Sequence, residues 1–539
     1  MTDGLPIRSQ TNSPPTIALQ QVGRYETGQF AEDAAEIVAY DPATCRLFVV
    51  NAEAGGVDVI DASDPTAPDG LGTIAVADAW PEAGETTNVA FRENTLVVAV
   101  EADPPQEPGC LVVYRTDGTN GIESFEARAT VTVGAMPDMV TFTLDGERLL
   151  VACAGEPDAS YETDPPGVVG VVDLRDGVGD LSASLVDCSA FDGQEAELRE
   201  RGVRIYGPGA SVSEDLEFEY LTIGAEGHYA YAVCQPNNAI AIFDIENEAF
   251  TDVVALGSKD HSLPGNELDA SDRGGTHICN WPVQGLYQPD AIASYEAGGI
   301  EYLVTANEGY YRSYEGFEEA ARVQDIDPAP EAFDLEAIAG IESVEELIRP
   351  GNLGNLKVST VSGDIDGDGR FEELYAFGGR SFSVWTTDGE LVFDSGNDFE
   401  LLAALHHPRY VNVDGTANTA HARSPEHGPE PEGIELGAVG DRTYAFVGLE
   451  RVGAIVVYDV SDPHTPEFVQ YVHQRDFEVE PETEIAGGEK DASAAGDLGP
   501  EGLKFVSAGE SPTDDPLLVV ANELSGTTTI YAVRSIGES

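Results

Sequence analysis

A three-strand unit spelled out between Gly428 and Asp459, GPEPEGIELGAVGDRTYAFVGLERVGAIVVYD, recurs along the chain and constrains its fold more than any other feature. A Pro431-Glu432-Gly433 turn opens its first strand, residues 444–449 make a second that ends at Glu450, and residues 454–458 make a third, closed by Asp459 and the turn Ser461-Asp462-Pro463. A near copy closes the chain, where GPEGLKF begins at Gly499, LLVVANE ends at Glu523 and TTTIYAV ends at Val533. Self-similarity of this kind marks a repeat architecture. Aligned on the second strand, eight copies can be read: RLFVVNAE, TLVVAVEA, RLLVACAGE, AYAVCQPN, EYLVTANE, ELYAFGG, TYAFVGLE and LLVVANE. Third strands follow in GVDVID, LVVYR, VVGVVD, AIAIFD, SFSVWT, AIVVYD and TTTIYA, with none obvious directly after Glu308.

Short strands separated by Gly, Pro and Asp turns predict an all-β fold and argue against alternating βα units. The runs are apolar on successive residues, so both faces of each small sheet need covering, as when sheets stack radially. A single β-propeller of four-stranded blades is therefore expected over residues 16–535. Counting units gives eight blades, and seven result if the units flanking an insertion at 309–356 share one sheet. The run TIALQQVGRY at 16–25 resembles the outer strand EFVQYVH at 467–473, and the last unit lacks an outer strand. The N-terminal strand is thus expected to complete the final blade and close the ring, removing its open edges. Residues 1–15 read as disordered and 536–539 as a tail.

Three insertions interrupt the rhythm. Residues 188–217 predict a helix over 194–201 stopped at Gly202, and 259–288 form a long loop rich in Gly, Asp and His. Within 309–356, residues 314–350 predict two short helices, the second opened by Ser343 with Glu346 as a capping box and ended before Pro350. Together they are expected to cap one face of the ring.

The charge excludes whole classes of partner. Asp and Glu number 98 against 27 Lys and Arg, a formal net charge of -71. A surface this acidic repels nucleic acid and anionic lipid. Disorder is the other reading of such acidity, but 42% hydrophobic residues in regular strand patterns argue for a globular chain. At about 1 M salt the Debye length falls to roughly 3 Å and self-repulsion is screened, so the surface reads as adapted to a high-salt interior or brine, as in halophilic archaea. No stretch approaches ~18 apolar residues, so no membrane span is expected. The N-terminus has neither an h-region nor a twin arginine, which points to a cytoplasmic location in a high-salt cell. The six cysteines show no CxxC spacing, and Cys153 and Cys234 lie within apolar strand runs, which favours buried thiols over disulfides or a zinc site.

Three motifs carry candidate chemistry. In Asp364-Ile365-Asp366-Gly367-Asp368-Gly369-Arg370-Phe371-Glu372, carboxylates stand at loop positions one, three, five and nine, with Gly at six for the sharp turn and the Arg370 carbonyl at seven. Such oxygens suit one hard cation, and the absence of flanking helices points to a Ca²⁺ hairpin of the FG-GAP type, with a plain acidic hairpin as the alternative. Units also open on acids at a matching place, namely Glu36, Asp138, Glu219, Asp290, Glu432 and Glu501, which would converge if first strands line a channel. A second set, Glu53, Glu101, Glu156, Glu308, Glu450 and Glu523, ends the second strands and would share one rim. So many like charges need cations or backbone N–H groups nearby, and so imply either bound metal or a structural network between blades. Finally, TAHARSPEH at 419–427 clusters His421, Arg423 and His427. Arg423 would hold an anionic group by a bidentate contact with His421 or His427 as acid or base; the alternative is an exposed loop without a catalytic role.

The stretches AAEIVAYDPATCRLFVVNAEAGGVDVIDASDP, MPDMVTFTLDGERLLVACAGEP, LYQPDAIASYEAGGIEYLVTANEG, DIDGDGRFEELYAFGGRSFSVW and GPEPEGIEL resemble the choice-of-anchor I family of propeller proteins, over about residues 15–535. Members are similar to exported bacterial and archaeal proteins, some described as atypical alkaline phosphatases and others as cell-surface glycoproteins. The resemblance implies a propeller and, against the missing signal, an extracellular setting. Pro236 in CQPNN and Tyr310 in NEGYY stand where the family usually carries acids, which removes two rim carboxylates. Two functions stay open. One is a calcium-stabilised, metal-dependent phosphoric ester hydrolase, with Glu53, Glu156, Glu308, Glu450 and Glu523 holding Ca²⁺ or another divalent metal and Arg423 the phosphate. The other is a non-catalytic ligand-binding or scaffold propeller whose carboxylates are structural.

Overall fold

The apolar runs are continuous because the strands are covered on both faces. In the computed structural model, which describes residues 7, 9, 15–116, 122, 125–335, 338 and 340–536, the strands Arg46–Asn51 and Leu517–Asn522 are buried at every position. Seven four-stranded antiparallel sheets follow one another along the chain. Their first strands are Val38–Asp41, Ala83–Arg92, Pro137–Phe142, Leu221–Ile223, Ile292–Ala297, Pro431–Val439 and Pro500–Val506. Successive side chains of a strand point to opposite faces, and each face meets a different neighbour. In the first sheet Phe48 and Val50 pack on Val89, Leu96 and Val98 of the second, while Leu47 and Val49 pack on Leu517 and Val519 of the seventh. Equivalent cores join the second sheet to the third and so on to the seventh. Radial stacking of this kind makes the fold a β-propeller. Each fully buried Val, Leu or Phe contributes about 1.5–3 kcal/mol, so these inter-sheet cores dominate stability.

In the seventh sheet the N-terminal strand Ile17–Glu26 runs antiparallel to Thr527–Ser535, at the edge the last unit leaves open. Ile17 and Leu19 are buried there among Tyr444, Phe446 and Leu518. Of the N-terminal segment expected to be disordered, Ile7 and Ser9 are buried, and the Ser9 N–H donates to Asp398. The remainder of residues 1–14, like residues 537–539 of the tail, lies outside the described residues.

The units that flank the insertion share the fifth sheet, the arrangement expected to go with seven and not eight. Ile300–Asn307, the strand of EYLVTANE, pairs directly with Ser381–Thr386, so SFSVWT is its missing third strand. ELYAFGG is not a blade strand: Tyr375–Ala376 belongs to an additional five-stranded sheet with Ser258–Asp260, Gln284–Leu286, Lys357–Ser359 and Ala320–Arg322. The chain therefore leaves the fifth sheet from Glu308 to Arg380, beyond the expected limit at 356. The expected 259–288 loop supplies two strands of the added sheet, because its apolar residues Leu268, Trp281 and Val283 join a separate core with Leu356, Val358 and Leu374.

Helices are few and short among the described residues. Helix α1 spans Glu195–Glu200 within the expected 194–201, and α2, Val212–Asp215, opens on a capping box from Ser211 to Glu214. Helix α3, Val344–Leu347, begins where Ser343 accepts the Glu346 N–H, but the Glu346 carboxylate takes the N–H of Glu342, not that of Ser343. In place of the first helix expected in 314–350 stand the single helical turn Val323–Asp325 and residues 336, 337 and 339, which lie outside the described residues. Helix α4, Asp398–His406, was not expected; its N-cap Asn397 makes no side-chain cap bond, and both sides of the helix are buried. No helix among the described residues is long and apolar enough to cross a membrane. Cys153 and Cys234 are fully buried in their strands.

Candidate functional site

Radial stacking brings the start of every first strand to one axis. A cavity of about 510 Å³ is lined by all seven first strands or the residues just before them, and Glu36, Asp138, Glu219, Asp290 and Glu501 stand in its wall. Glu432 lies beside it, with a carboxylate oxygen within 4.8 Å of Asp290 and Glu308. Burial, then neighbouring carboxylates, pushes Asp138, Glu219, Glu432 and Glu501 well above the usual carboxylate range. Glu36 is pushed up to about 9 by the same causes, and Asp290 to about 7 by burial.

Strand register sorts the second set. The last paired residues of the second strands include Asn51, Asn307, Leu449 and Asn522, so Glu308, Glu450 and Glu523 follow at one equivalent position. Glu101 follows the last pair of the second sheet in the same way and is pushed up to about 7 by burial, then by Glu85 and Glu156. In the first sheet Ala52 takes this position, and Glu53, one residue further, is exposed and stands apart from the others. Glu156 sits further along its loop, accepts a 2.9 Å bond from the Tyr314 hydroxyl, and lies within 4.8 Å of Glu217 and Glu219.

One part of this rim differs from the rest. His427 Nδ1 and Nε2 are both buried with no hydrogen-bond partner, and a ring nitrogen lies within 4.8 Å of carboxylate oxygens of Glu308 and Glu430. Burial first, with Arg423, Arg380 and Arg451 adding to it, lowers the imidazole to about 3, so it is neutral at pH 7. Its ring meets Tyr311 edge-on at 5.4 Å, and the Tyr311 hydroxyl contacts Lys357, which pairs with Glu426 at 2.9 Å. Glu430 is fully buried and accepts from Arg423 Nε at 2.5 Å and from Arg451 Nε at 2.6 Å. Burial alone would raise that carboxyl, but Arg451 and Arg423 prevail and hold it below the usual range. Arg451 Nη1 also reaches Glu450 at 2.6 Å. Glu308 accepts from Gln235 Nε2 at 2.9 Å and is pushed up to about 8 by burial, then by Asp290 and Glu430. One imidazole and two carboxylates within a single ion's reach are a donor set for a divalent metal, and the orphaned His427 nitrogens fit that role. The two guanidiniums beside it suit an anion.

Of the three residues singled out in 419–427, Arg423 and His427 meet here and His421 does not. His421 Nδ1 lies 2.7 Å from Asp269 Oδ2, which also accepts from Ser424 Oγ at 2.8 Å. That hydrogen bond to Asp269 raises the His421 pKa and ties the residue to the buried network of Arg380 and Glu400. Glu430 and Arg451 escaped the sequence reading. The only signal was adjacency, since Glu430 stands two before Glu432 and Arg451 directly follows Glu450.

The 364–372 loop lies in the added sheet, between Lys357–Ser359 and Tyr375–Ala376. Oxygens of Asp364, Asp366 and Glu372 lie within 4.8 Å of one another. Asp364 accepts the N–H groups of Gly367, Asp368 and Gly369 at 2.8, 3.1 and 3.0 Å, and Gly369 takes a φ of 91° that favours glycine. Asp368 stands outside that trio and accepts the Arg370 N–H, while the Arg370 guanidinium holds Glu331.

The profile of the Choice-of-anchor I domain matches residues 36–463. The chain belongs to the choice-of-anchor I family. The matched span contains the Glu308, His427 and Glu430 cluster and the 364–372 loop. This choice-of-anchor I chain is similar to Gigasin-3a of Magallana gigas, 32% identical over 190 residues that cover 34% of the chain and 66% of the relative. It is also similar to a mesenchyme-specific cell surface glycoprotein of Strongylocentrotus purpuratus, 29% identical over 281 residues, covering 46% of the chain and 35% of the relative. It thus spans just under two thirds of one curated relative and about a third of the other. Among solved structures, hydrazine synthase of Kuenenia stuttgartiensis covers 95% of the chain and all of its own, at 12% identity and a TM-score of 0.45.

Proposed function

We propose that this choice-of-anchor I propeller is a metal-dependent phosphoric ester hydrolase. Its seven sheets would be the blades of a ring closed by Ile17–Glu26, its 364–372 loop would hold a structural Ca²⁺, and its rim would bind the ester. The observation that carries this reading is His427, an imidazole buried with both nitrogens unpartnered beside two carboxylates and two arginines. A polar group left so costs about 1–3 kcal/mol unless something binds it. Glu308, Glu430 and His427 would hold a divalent ion, which when bound supplies Lewis-acid polarisation of the ester. Arg423 spends its Nε on Glu430, which orients its outer nitrogens for two phosphoryl oxygens, and Arg451 adds a second positive charge. The Tyr311 and Phe377 rings pack against the His427 imidazole and fix its position. The acidic surface suits a molar-salt compartment, and the name of the sea-urchin relative favours an extracellular one.

The test is turnover of p-nitrophenyl phosphate and bis-p-nitrophenyl phosphate at molar KCl, with Ca²⁺ or Mn²⁺ and after chelation. Arg423→Ala is expected to lower kcat/KM by about 100-fold, and His427→Ala to abolish metal-dependent turnover. No turnover of either ester with any metal removes the hydrolase reading.

A second reading is favoured by the bond from Gln235 to Glu308, which ties the fourth sheet to the fifth, and by that from Tyr314 to Glu156, which ties the insertion after Glu308 to the third sheet. In that case the carboxylates are a structural network in a ligand-binding or scaffold propeller. Glu308→Gln would then lower the melting temperature without altering metal binding.

A further inference from the structure

Glu308 belongs to two ligand clusters at once. Besides Glu430 and His427, its carboxylate lies within 4.8 Å of oxygens of Asp290 and Glu432. Glu432 Oε2 is buried without a hydrogen-bond partner, and no arginine or lysine among the described residues pairs with Asp290 or Glu432. His427, more than nine-tenths buried and unpartnered, has a ring nitrogen within 4.8 Å of the same Glu308 carboxylate.

We infer that Glu308 bridges two divalent cations, one shared with His427 and Glu430 and a second held by Asp290 and Glu432. This rests on the rim being a metal site. In two-metal sites that clamp one phosphoryl group the ions stand about 3.5–4 Å apart, a spacing that a shared carboxylate can span. The second position offers oxygen alone and suits a hard ion such as Mn²⁺, Mg²⁺ or Ca²⁺, while the first adds one imidazole nitrogen.

Charge supports the pair over a single ion. Asp290, Glu308, Glu430 and Glu432 supply four negative charges against Arg423 and Arg451, and Glu450 and Glu501 add two more beside Glu432. One divalent ion leaves this set negative, and a second brings it to neutrality. Only the pair removes the repulsion of an anionic ester.

The experiment loads full-length Asp366→Ala protein, so that the loop ion does not contribute, with Mn²⁺ and reads bound metal and the electron paramagnetic resonance spectrum. The expected result is about two equivalents with an exchange-coupled pair signal, as for a dinuclear site. Adding Asp290→Asn or Glu432→Gln, each nearly isosteric and made separately so that one misfolded variant does not decide the matter, should leave one equivalent and an isolated-ion spectrum. Adding Glu308→Gln should abolish coupling and weaken both ions. One equivalent that Asp290→Asn and Glu432→Gln leave untouched but His427→Ala removes overturns the second ion and leaves the rim site standing. No bound Mn²⁺ overturns both.

Discussion

Replacing Glu430 by Gln removes one negative charge from a fully buried position, takes the paired carboxylate from Arg423 and leaves Arg451 with Glu450 alone. Breaking a buried ion pair from one side costs about 3–5 kcal/mol. Here the Arg423 and Arg451 side chains are 23% and 26% exposed, so water recovers part of that loss. The cost expected for Glu430→Gln is therefore about 2–4 kcal/mol. It should persist at 2 M KCl, because screening acts on exposed pairs far more than on buried ones. The assay is urea unfolding at fixed high salt, followed by tyrosine fluorescence and circular dichroism together to check that the transitions coincide. A double-mutant cycle isolates the mechanism: in an Arg423→Met background the same substitution should cost about 1–2 kcal/mol less. If Glu430→Gln costs under about 1 kcal/mol, or if the cycle shows no coupling, the bridging role assigned to Glu430 is wrong.

Three further outcomes are expected. Asp366→Ala should remove the loop ion's share of the Ca²⁺-dependent stabilisation, about 2.7 kcal/mol at a hundredfold excess over its Kd; an undiminished Ca²⁺-dependent gain in the variant would place that ion elsewhere. With chelator present, stability should fall as pH rises from 5 to 9. Glu101 and Glu36 have folded pKa values near 7 and 9 against 4.5 unfolded, so their contribution is complete below 4.5 and lost as pH passes through the folded values; a melting temperature that rises over this range would contradict the buried carboxylate channel. Leu19→Asp, which puts a charge into the core shared with Tyr444, Phe446 and Leu518, should cost at least about 3 kcal/mol, whereas Gln20→Asp on the exposed side of the same strand should cost under about 0.5; equal effects in urea unfolding would show that the N-terminal strand does not seat on the last sheet.

Much of this architecture can be read from strand chemistry. Runs such as RLFVVN and LLVVAN are apolar at every residue because alternate side chains serve different neighbouring sheets, and that pattern leaves few alternatives to radial stacking. The count misled at ELYAFGG, where Leu374 and Ala376 are apolar for the core of an added sheet and imitate a blade strand. Helix α4 escaped because DFELLAALH is buried on both sides and has no capping side chain, so neither periodicity nor a start signal marks it. Carboxylate placement was legible only to within one or two residues, since Ala154 holds the equivalent position in the third sheet and Glu156 stands two later. Glu308 and Glu523 directly follow the last paired Asn of their strands, but Glu53 stands one later and turns outward. The partners that distinguish the rim centre, Glu430 and Arg451, are brought together by tertiary packing alone, and no spacing rule joins them to Glu308, more than 120 positions earlier.

The central claim is that acids from distant units converge with His427 to hold metal at one end of the propeller. Anomalous scattering from a crystal grown with Mn²⁺ tests it directly. Peaks are expected between Glu308, His427 and Glu430, separate from any in the 364–372 loop; a map with density at the loop alone, or with the His427 ring nitrogens facing no ion, would contradict the account.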